Sequence, residues 1–318
     1  METDLNQMTY TPGLGKLVHH LPHLQKIQNR EIVGPINVDV WPNNYCNFNC
    51  KYCCFGEYFN GHKRDGIELE LEDFCIAIDT LKKYGLKSVS FSGGGNPILW
   101  KYFDEAIDYV DKIGGLKLSL VTNGPMKLAK PETLSKFAWI RISIQSLNHA
   151  KTCGFELIPD NVRKSMSYII FDDRTFNSID NVYEWAKETN TIIRVAPIRP
   201  CNQEWSDKVG NKVNSLGKPL LFFDKPSGSP NGCYFAWIRG AIDWNGKYLP
   251  CPSIELSPES FGKIPETFPV CHVRDLEEWL VLNPPHDMGY RCSHCNCGKN
   301  VNNFVTSLFE KVDDVEFV

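Results

Sequence analysis

The sequence predicts an α/β fold: a parallel sheet with helices on its outer face, curled into a partial (β/α)6 barrel and followed by a small cysteine-rich C-terminal module. Three observations predict it. Strand-like alternation and helical periodicity take turns six times between residues 35 and 200, with short connections. That pattern breaks after Pro200. Cysteines crowd at two places, Cys46, Cys50, Cys53 and Cys54 at one and Cys292, Cys295 and Cys297 at the other.

Residues 36–41 (INVDVW) alternate apolar and polar side chains as a strand does. Residues 72–84 carry Phe74, Ala77, Ile78 and Leu81 at helical spacing, and Gly85 supplies the stop. A second strand (87–92), a helix (101–113), a third strand (116–122) and a short helix with proline in its first turn (131–137) follow. Residues 139–145 form a fourth strand, 168–172 a weaker fifth, 178–189 a helix and 191–197 a sixth strand. Residues 201–230, rich in Asn, Lys, Pro, Gly and Ser, read as a long connection with one apolar stretch at 220–223. The segments 237–243 and 247–249 flank Asn245-Gly246, a pair suited to a two-residue hairpin turn, and 275–282 reads as a helix. The expected division is an extension (1–34), a barrel (35–200), a connection (201–230), a module (231–300) and a solvated acidic tail (301–318).

Lysine plus arginine is 34 and aspartate plus glutamate 38 among 318 residues, a net charge of −4 that gives no whole-chain argument for binding a polyanion. Hydrophobic residues at 42% and charged residues at 23% exclude disorder as the main state. A chain of this size buries roughly three quarters of its unfolded surface and needs no disulfide staples. Residues 1–30 hold no signal-peptide run, and no stretch approaches the ~20 apolar residues of a membrane span, so a cytoplasmic location and no membrane partner are expected. There the 13 cysteines serve as thiolates for metal or catalysis.

Cys46, Cys50 and Cys53 form a C-x3-C-x2-C set on the loop after the first strand, the end of such a sheet where chemistry collects. A four-iron cluster takes a soft thiolate on each iron, so three cysteines on one loop leave the fourth iron open to a ligand. Zinc held with Cys54 or a distant ligand is the alternative. With Tyr52 supplying the aromatic position of C-x3-C-x-aromatic-C, the loop resembles that of the radical S-adenosylmethionine (radical SAM) superfamily. The resemblance implies a TIM-like partial barrel, a [4Fe-4S] cluster on Cys46, Cys50 and Cys53, and S-adenosylmethionine chelated at the open iron. It implies reductive cleavage to methionine and a 5′-deoxyadenosyl radical, fed by an electron donor such as flavodoxin or ferredoxin. It also implies cofactor contacts from Gly93, Gly94, Gly95 and Asn96 after the second strand. The family commonly has glutamate at the position of Asn96, so an amide there would weaken the contact to the cofactor's ammonium. Further contacts are implied from Thr122 and Asn123 after the third strand, Ser143 and Gln145 on the fourth, and Arg194 on the sixth. Without the family, the glycine run reads as a turn and the polar strand residues as barrel lining. Cys54 reads as a neighbour rather than a ligand, Cys75 and Cys153 as small core residues, and Cys201 has no assigned role.

Cys233 and Cys251 bracket the hairpin as C-x12-G-x4-C, and Cys292 and Cys295 form a later C-x2-C. This resembles the twitch module of radical SAM enzymes, the shortened relative of SPASM, and implies one auxiliary [4Fe-4S] cluster on Cys233, Cys251, Cys292 and Cys295. Cys271 or Cys297 could replace one of the four, and the spacing of four cysteines equally permits structural zinc. His272 and His294 read as surface groups or supports for neighbouring ligands. The resulting reading is hydrogen-atom abstraction from an unactivated carbon, leading to oxidation, rearrangement or cross-linking of a small molecule, peptide or nucleotide. Residues 1–34 are too short for a leader-peptide-binding domain, which weakens the peptide case. A nucleic-acid-modifying enzyme is the second reading, with Tyr52, Phe55, Tyr58, Phe59, His62, Lys63 and Arg64 as a stacking and phosphate-contacting lip. A non-enzymatic zinc or iron–sulfur carrier is the third. Glu57, Asp65, Asp243 and Tyr248 lie in plausible loops, but spacing singles out no general acid or base.

Overall fold

A computed structural model describes residues 13–53, 55, 65–198, 201–224, 228–252, 270–290, 292, 295 and 298–309. Two short helices, α1 (Gly13–Leu17) and α2 (Leu21–Gln28), precede the alternating region. Strand β1 (Asn37–Val40) leads to α3 (Leu71–Lys83), β2 (Ser88–Phe91), α4 (Phe103–Ile113) and β3 (Lys117–Thr122). Then come α5 (Pro131–Leu134), β4 (Phe137–Ile144), α6 (Leu147–Thr152), β5 (Arg163–Ile170), α7 (Asp173–Asn177), α8 (Ile179–Glu188) and β6 (Ile193–Pro197). Each strand from β1 to β6 pairs in parallel with the next, so the α/β reading holds, as an open rather than a closed barrel.

Alternation along the strands separates two faces. Val38, Val40, Val89, Phe91, Leu118, Leu120, Ile140, Ile142 and Ile144 share one core with Phe74, Ala77, Ile78 and Leu81 of α3. Each such fully buried aliphatic side chain contributes about 1.5–3 kcal/mol. The intervening residues carry hydroxyls and amides along the opposite, concave face. Ser88 and Ser90 donate to Asn37 Oδ1 at 2.8 and 3.0 Å, Ser119 donates to Ser90 Oγ at 2.8 Å, and the Ser143 and Ser167 hydroxyls are 3.2 Å apart.

The structure corrects the sequence reading in three places. The fifth strand begins at Arg163, because Met166, Tyr168 and Ile170 face the core while Ser165 and Ser167 line the concave side. Residues 201–230 are not a bare connection. They hold α9 (Gln203–Leu216) and a seventh parallel strand, β7 (Leu220–Phe222), beside β6. The signals were Asn202, whose side chain caps the Trp205 N–H, and the buried stripe of Ser206, Val209 and Val213 within an otherwise polar helix. At Gly210 a Cβ would lie 2.9 Å from the Phe222 ring, so glycine sets the close approach of α9 to β7. The hairpin of β8 (Arg239–Ile242) and β9 (Lys247–Leu249) turns through three residues rather than two: the Asp243 N–H bonds the Lys247 carbonyl, and Gly246 takes φ +72°.

Strand β8 runs parallel beside β1, and β10 (Cys271–His272) adds antiparallel to β9, giving the order β10-β9-β8-β1-β2-β3-β4-β5-β6-β7. Helices α10 (Leu276–Leu282) and α11 (Lys299–Phe309) complete the described chain, and α11 takes up the first part of the expected tail. Leu17, Leu24 and Ile27 from the N-terminal helices pack with Val33, Ile36, Trp237 and Val305 in a second core at the N-terminal ends of β1 and β8. Arg239 grips the buried Asp39 carboxylate through Nε and Nη2 at 2.8 and 2.9 Å, fastening β8 to β1. Among the described residues no helix is long and apolar enough to cross a membrane.

Candidate active site at the C-terminal ends of the strands

The loop leaving β1 lies on the glycine-rich loop leaving β2. The Asn43 carbonyl accepts the Gly95 N–H at 2.7 Å, the Tyr45 carbonyl accepts the Asn96 N–H at 2.9 Å, and Asn43 Nδ2 donates to the Asn96 carbonyl at 2.9 Å. A Cβ at Gly95 would fall 1.6 Å from the Tyr45 carbonyl oxygen, and one at Gly94 2.3 Å from that of Asn43. These glycines are where the cysteine loop itself comes down, so their missing side chains first serve contact between the two loops.

Three of the expected ligands stand on that loop. Cys46 Sγ accepts the Asn123 side-chain amide at 3.1 Å and the Phe48 N–H at 3.4 Å; Cys50 Sγ lies 2.6 Å from Gln145 Nε2. Burial pushes the Cys50 thiol above its usual range, and the sulfurs of Cys53 and Cys46 add to the shift. The Cys53 N–H closes a turn onto the Cys50 carbonyl at 3.1 Å. The Tyr52 ring rests 5.2 Å from that of Phe171, beyond β5, and burial next to Cys50 raises its phenol.

Asn96 is 2% exposed, and its side chain is fully engaged within the protein. Its Oδ1 accepts the Thr122 hydroxyl at 2.6 Å, while Nδ2 faces Asn47 Oδ1 at 3.0 Å, Asn123 Oδ1 at 2.9 Å and the Gly124 carbonyl. Cys46, Cys50, Tyr52, Gly93–Asn96, Thr122, Asn123 and Gln145 thus form one constellation. Ser143 and Arg194 adjoin it on the concave face, Ser143 beside Ser167 and Arg194 in register with Ser167, its guanidinium 4.4 Å from the Phe223 ring centroid. Sequence reasoning missed His149, which accepts the Gln145 N–H on Nδ1 at 3.2 Å and lies 2.8 Å from the Asn123 carbonyl through Nε2. Burial lowers its pKa, in keeping with a neutral ring that accepts on one nitrogen and donates on the other. The signal was Ser146, the cap of α6, which fixes His149 one turn into the helix. An open cleft of about 450 Å³, lined by Phe171, Asp172, Cys201, Asn202 and Trp205 among others, lies on the same rim past β5 and β6 and gives Cys201 a place.

Several expected candidates fall elsewhere. Asp243 is buried and spends its carboxylate on the N–H groups of Asn245 and Lys247 in the hairpin turn. Tyr248 lies on β9, fully buried in the core on the helix side of the sheet and bonded to the Ala236 carbonyl. Asp65 accepts from Asn44. Phe55 is buried between Trp41 and Trp244 and Tyr52 lies against Phe171, so neither offers the stacking lip proposed for nucleic acid. Tyr58, Phe59, His62, Lys63, Arg64, Glu57, Cys54, His294 and Cys297 lie outside the described residues.

Cys233, Cys292 and Cys295 of the second cysteine set lie near one another, away from the first. Cys233 precedes β8; Cys251 follows β9, whose Leu249 pairs with Ala241, so both sit toward the N-terminal ends of the parallel strands. Burial pushes the Cys233 thiol up to about 12, with further contributions from Cys292, Cys295 and Asp287. Cys271, on β10 opposite Tyr248, has Asp275 as its electrostatic neighbour instead. His272 accepts the Arg274 N–H and stays partly exposed, 3.7 Å from Asp73. Among the described residues no three Cys, His, Asp or Glu side chains converge as ligands of a single metal ion. A four-iron cube takes one thiolate per iron, so its ligands stand farther apart than those of a single ion.

The sequence model of the radical SAM superfamily matches residues 42–193, from the cysteine loop to β6. That match takes in the cysteine loop and every strand from β2 to β5. Among sequence relatives, the chain is 32% identical over 155 residues to an S-adenosylmethionine-dependent nucleotide dehydratase of Selenomonas ruminantium, covering 47% of this chain and 50% of that one. It is 29% identical over 105 residues to a probable GTP 3',8-cyclase of Saccharolobus solfataricus, 32% of each chain. The matches therefore span half or less of these relatives. In fold, the chain superposes on Streptococcus suis SuiB bound to S-adenosylmethionine with a TM-score of 0.60 at 15% identity, over 88% of this chain and 73% of SuiB. The anSMEcpe protein with bound AdoMet gives a TM-score of 0.56 at 13% identity, over 88% and 96%.

Proposed function

We propose that this protein is a radical SAM enzyme that removes a hydrogen atom from an unactivated carbon of a small substrate held against the concave face of the sheet, assisted by one auxiliary [4Fe-4S] cluster. The observation that carries this is the cysteine loop after β1, where three thiols share one loop and two of the sulfurs already face side-chain amides, a setting suited to thiolate ligands. Cys46, Cys50 and Cys53 would hold the cluster and leave one iron for S-adenosylmethionine. When bound, cluster and cofactor supply the reductive cleavage that yields a 5′-deoxyadenosyl radical. Ser143, Ser167 and Arg194 offer two hydroxyls and a cation to the polar end of the cofactor, and the Tyr52–Phe171 contact screens the cluster loop from water. Cys233, Cys251, Cys292 and Cys295 would hold the auxiliary cluster at the far end of β1 and β8, whose four residues span roughly 10 Å. The polar concave face lies between the two sets.

The sequence relatives are named for reactions on nucleotides, which favours a nucleotide over a peptide as substrate. Reduction in the cell would come from a flavodoxin or ferredoxin. The test is iron and acid-labile sulfide per chain after anaerobic reconstitution, with 5′-deoxyadenosine measured after addition of dithionite and S-adenosylmethionine. About eight iron and eight sulfide support both clusters, about four leave only the radical site, and none refutes the proposal. Stimulation of 5′-deoxyadenosine release by nucleoside triphosphates but not by peptides would support the nucleotide reading.

A further inference from the structure

We infer that Asn123 and Gln145 are not contacts to S-adenosylmethionine but hydrogen-bond donors to the cluster sulfurs of Cys46 and Cys50 that set its reduction potential, and that Asn96 is the positioning residue that aims Asn123. This rests on the assignment of Cys46, Cys50 and Cys53 as cluster ligands.

The direction of each bond in the chain is fixed by its neighbours. The Gly124 carbonyl can only accept, so the Asn96 group against it is the NH2 and the Asn96 atom 2.6 Å from Thr122 Oγ1 is Oδ1, which takes the hydroxyl proton while Oγ1 accepts the Gly124 N–H at 3.0 Å. With its oxygen so engaged, Asn96 presents its NH2 to Asn123 Oδ1 at 2.9 Å. Asn123 then has its carbonyl turned to Asn96 and its NH2 turned to Cys46 Sγ at 3.1 Å. Side-chain amides are readily flipped end for end, but this chain of donors admits one orientation. His149 holds the same group from behind through the Asn123 backbone carbonyl, and also takes the Gln145 N–H, so one imidazole steadies both amide-bearing residues.

A glutamate at position 96 would have no proton to give Asn123 Oδ1 and would turn the Asn123 amide away from Cys46. The asparagine of this chain therefore belongs to a circuit that ends on sulfur. Hydrogen bonds from neutral donors stabilise the more negative, reduced state of a thiolate-ligated cluster and raise its potential. Two such donors on two of the three ligands make the cluster easier for a protein reductant to reduce.

The experiment is an EPR-monitored redox titration of the reconstituted full-length protein, following the reduced-cluster signal that changes shape when S-adenosylmethionine is added. Asn123→Leu and Gln145→Met each remove a donor without adding charge. Each should move the midpoint to a more negative value at unchanged iron content, and the double variant should move it by their sum. Asn96→Leu should lower the midpoint in the wild-type background and leave it unmoved in the Asn123→Leu background, because it acts through Asn123. Should Gln145→Met lose its iron, Gln145→Asn withdraws the amide by about one bond length, roughly 1.5 Å, and replaces it. Full iron loading with unmoved midpoints overturns this inference alone. Wild-type protein with no S-adenosylmethionine-responsive cluster overturns the assignment beneath it.

Discussion

The Asp39–Arg239 pair yields a prediction with an asymmetry built in. The Asp39 side chain is 5% exposed and that of Arg239 45%, so the two halves of one ion pair stand in different solvents. Replacing Arg239 with Ala strands a carboxylate inside the sheet, at a cost of about 3–5 kcal/mol. Replacing Asp39 with Ala leaves a guanidinium that already reaches water, at about 1 kcal/mol. At roughly 2 °C per kcal/mol for a chain of this size, Arg239→Ala should lower the melting temperature of the metal-free protein by about 6–10 °C and Asp39→Ala by about 2 °C. Differential scanning calorimetry on both variants and the double variant gives the comparison. The double variant should resemble Asp39→Ala, since no charge is then stranded. Equal losses from the two single variants would show that the pair acts by packing alone.

Gly95→Ala places a methyl where the Tyr45 carbonyl lies, so it should cost about 1–3 kcal/mol and lower iron loading at the Cys46 loop while far-UV circular dichroism stays unchanged. Cys50→Ala should abolish 5′-deoxyadenosine formation, whereas Cys251→Ala should spare it and impair substrate turnover; product analysis on both variants separates the two roles. Burial holds the His23 imidazole, bonded to the Trp237 carbonyl, below its ordinary 6.5. The folded state then binds less proton than the unfolded one, so the His23 contribution is complete above that pH and falls away as pH drops below it. Urea titrations between pH 5 and 7 should show a flatter decline for His23→Gln than for wild type.

The barrel is legible in the sequence because its strands bury one face only. Ser, Asn and Arg on the concave side alternate with Val, Ile and Phe on the helix side, and that alternation is written in residues 36–41 and 139–145. Helix α9 is hidden because a surface helix with a narrow buried stripe, Ser206, Val209 and Val213, is compositionally a loop. The cysteine loop is legible from spacing, since ligands that share a loop must be close in sequence. The partners of its sulfurs are not, because Asn123 and Gln145 arrive from β3 and β4, tens of residues away, and nothing local to T-N-G or to the fourth strand says which atom each amide will meet. Asn96 is obscured for the same reason: as a substitution it reads as a weakened cofactor contact, while in the fold its donors are the point. Asp243 and Tyr248 read as loop residues because turn residues alone mark the hairpin bounds, and the structure puts one in the turn and the other in the core.

Strand β1 takes one neighbour, β2, from residues about fifty positions ahead, and the other, β8, from residues about two hundred positions ahead, since Asn37 pairs with both Ser88 and Arg239. On the ribosome, at roughly 5–20 residues per second, that second edge stays unpaired for about 10–40 s after β1 emerges. During this interval the cysteine loop is already made while its flank, later covered by Trp244 and the hairpin, stands open to solvent. An edge strand left bare that long invites pairing with other chains, so the polar Asn37 and Asp39 on its inner side also guard the nascent protein against aggregation until the last strand arrives.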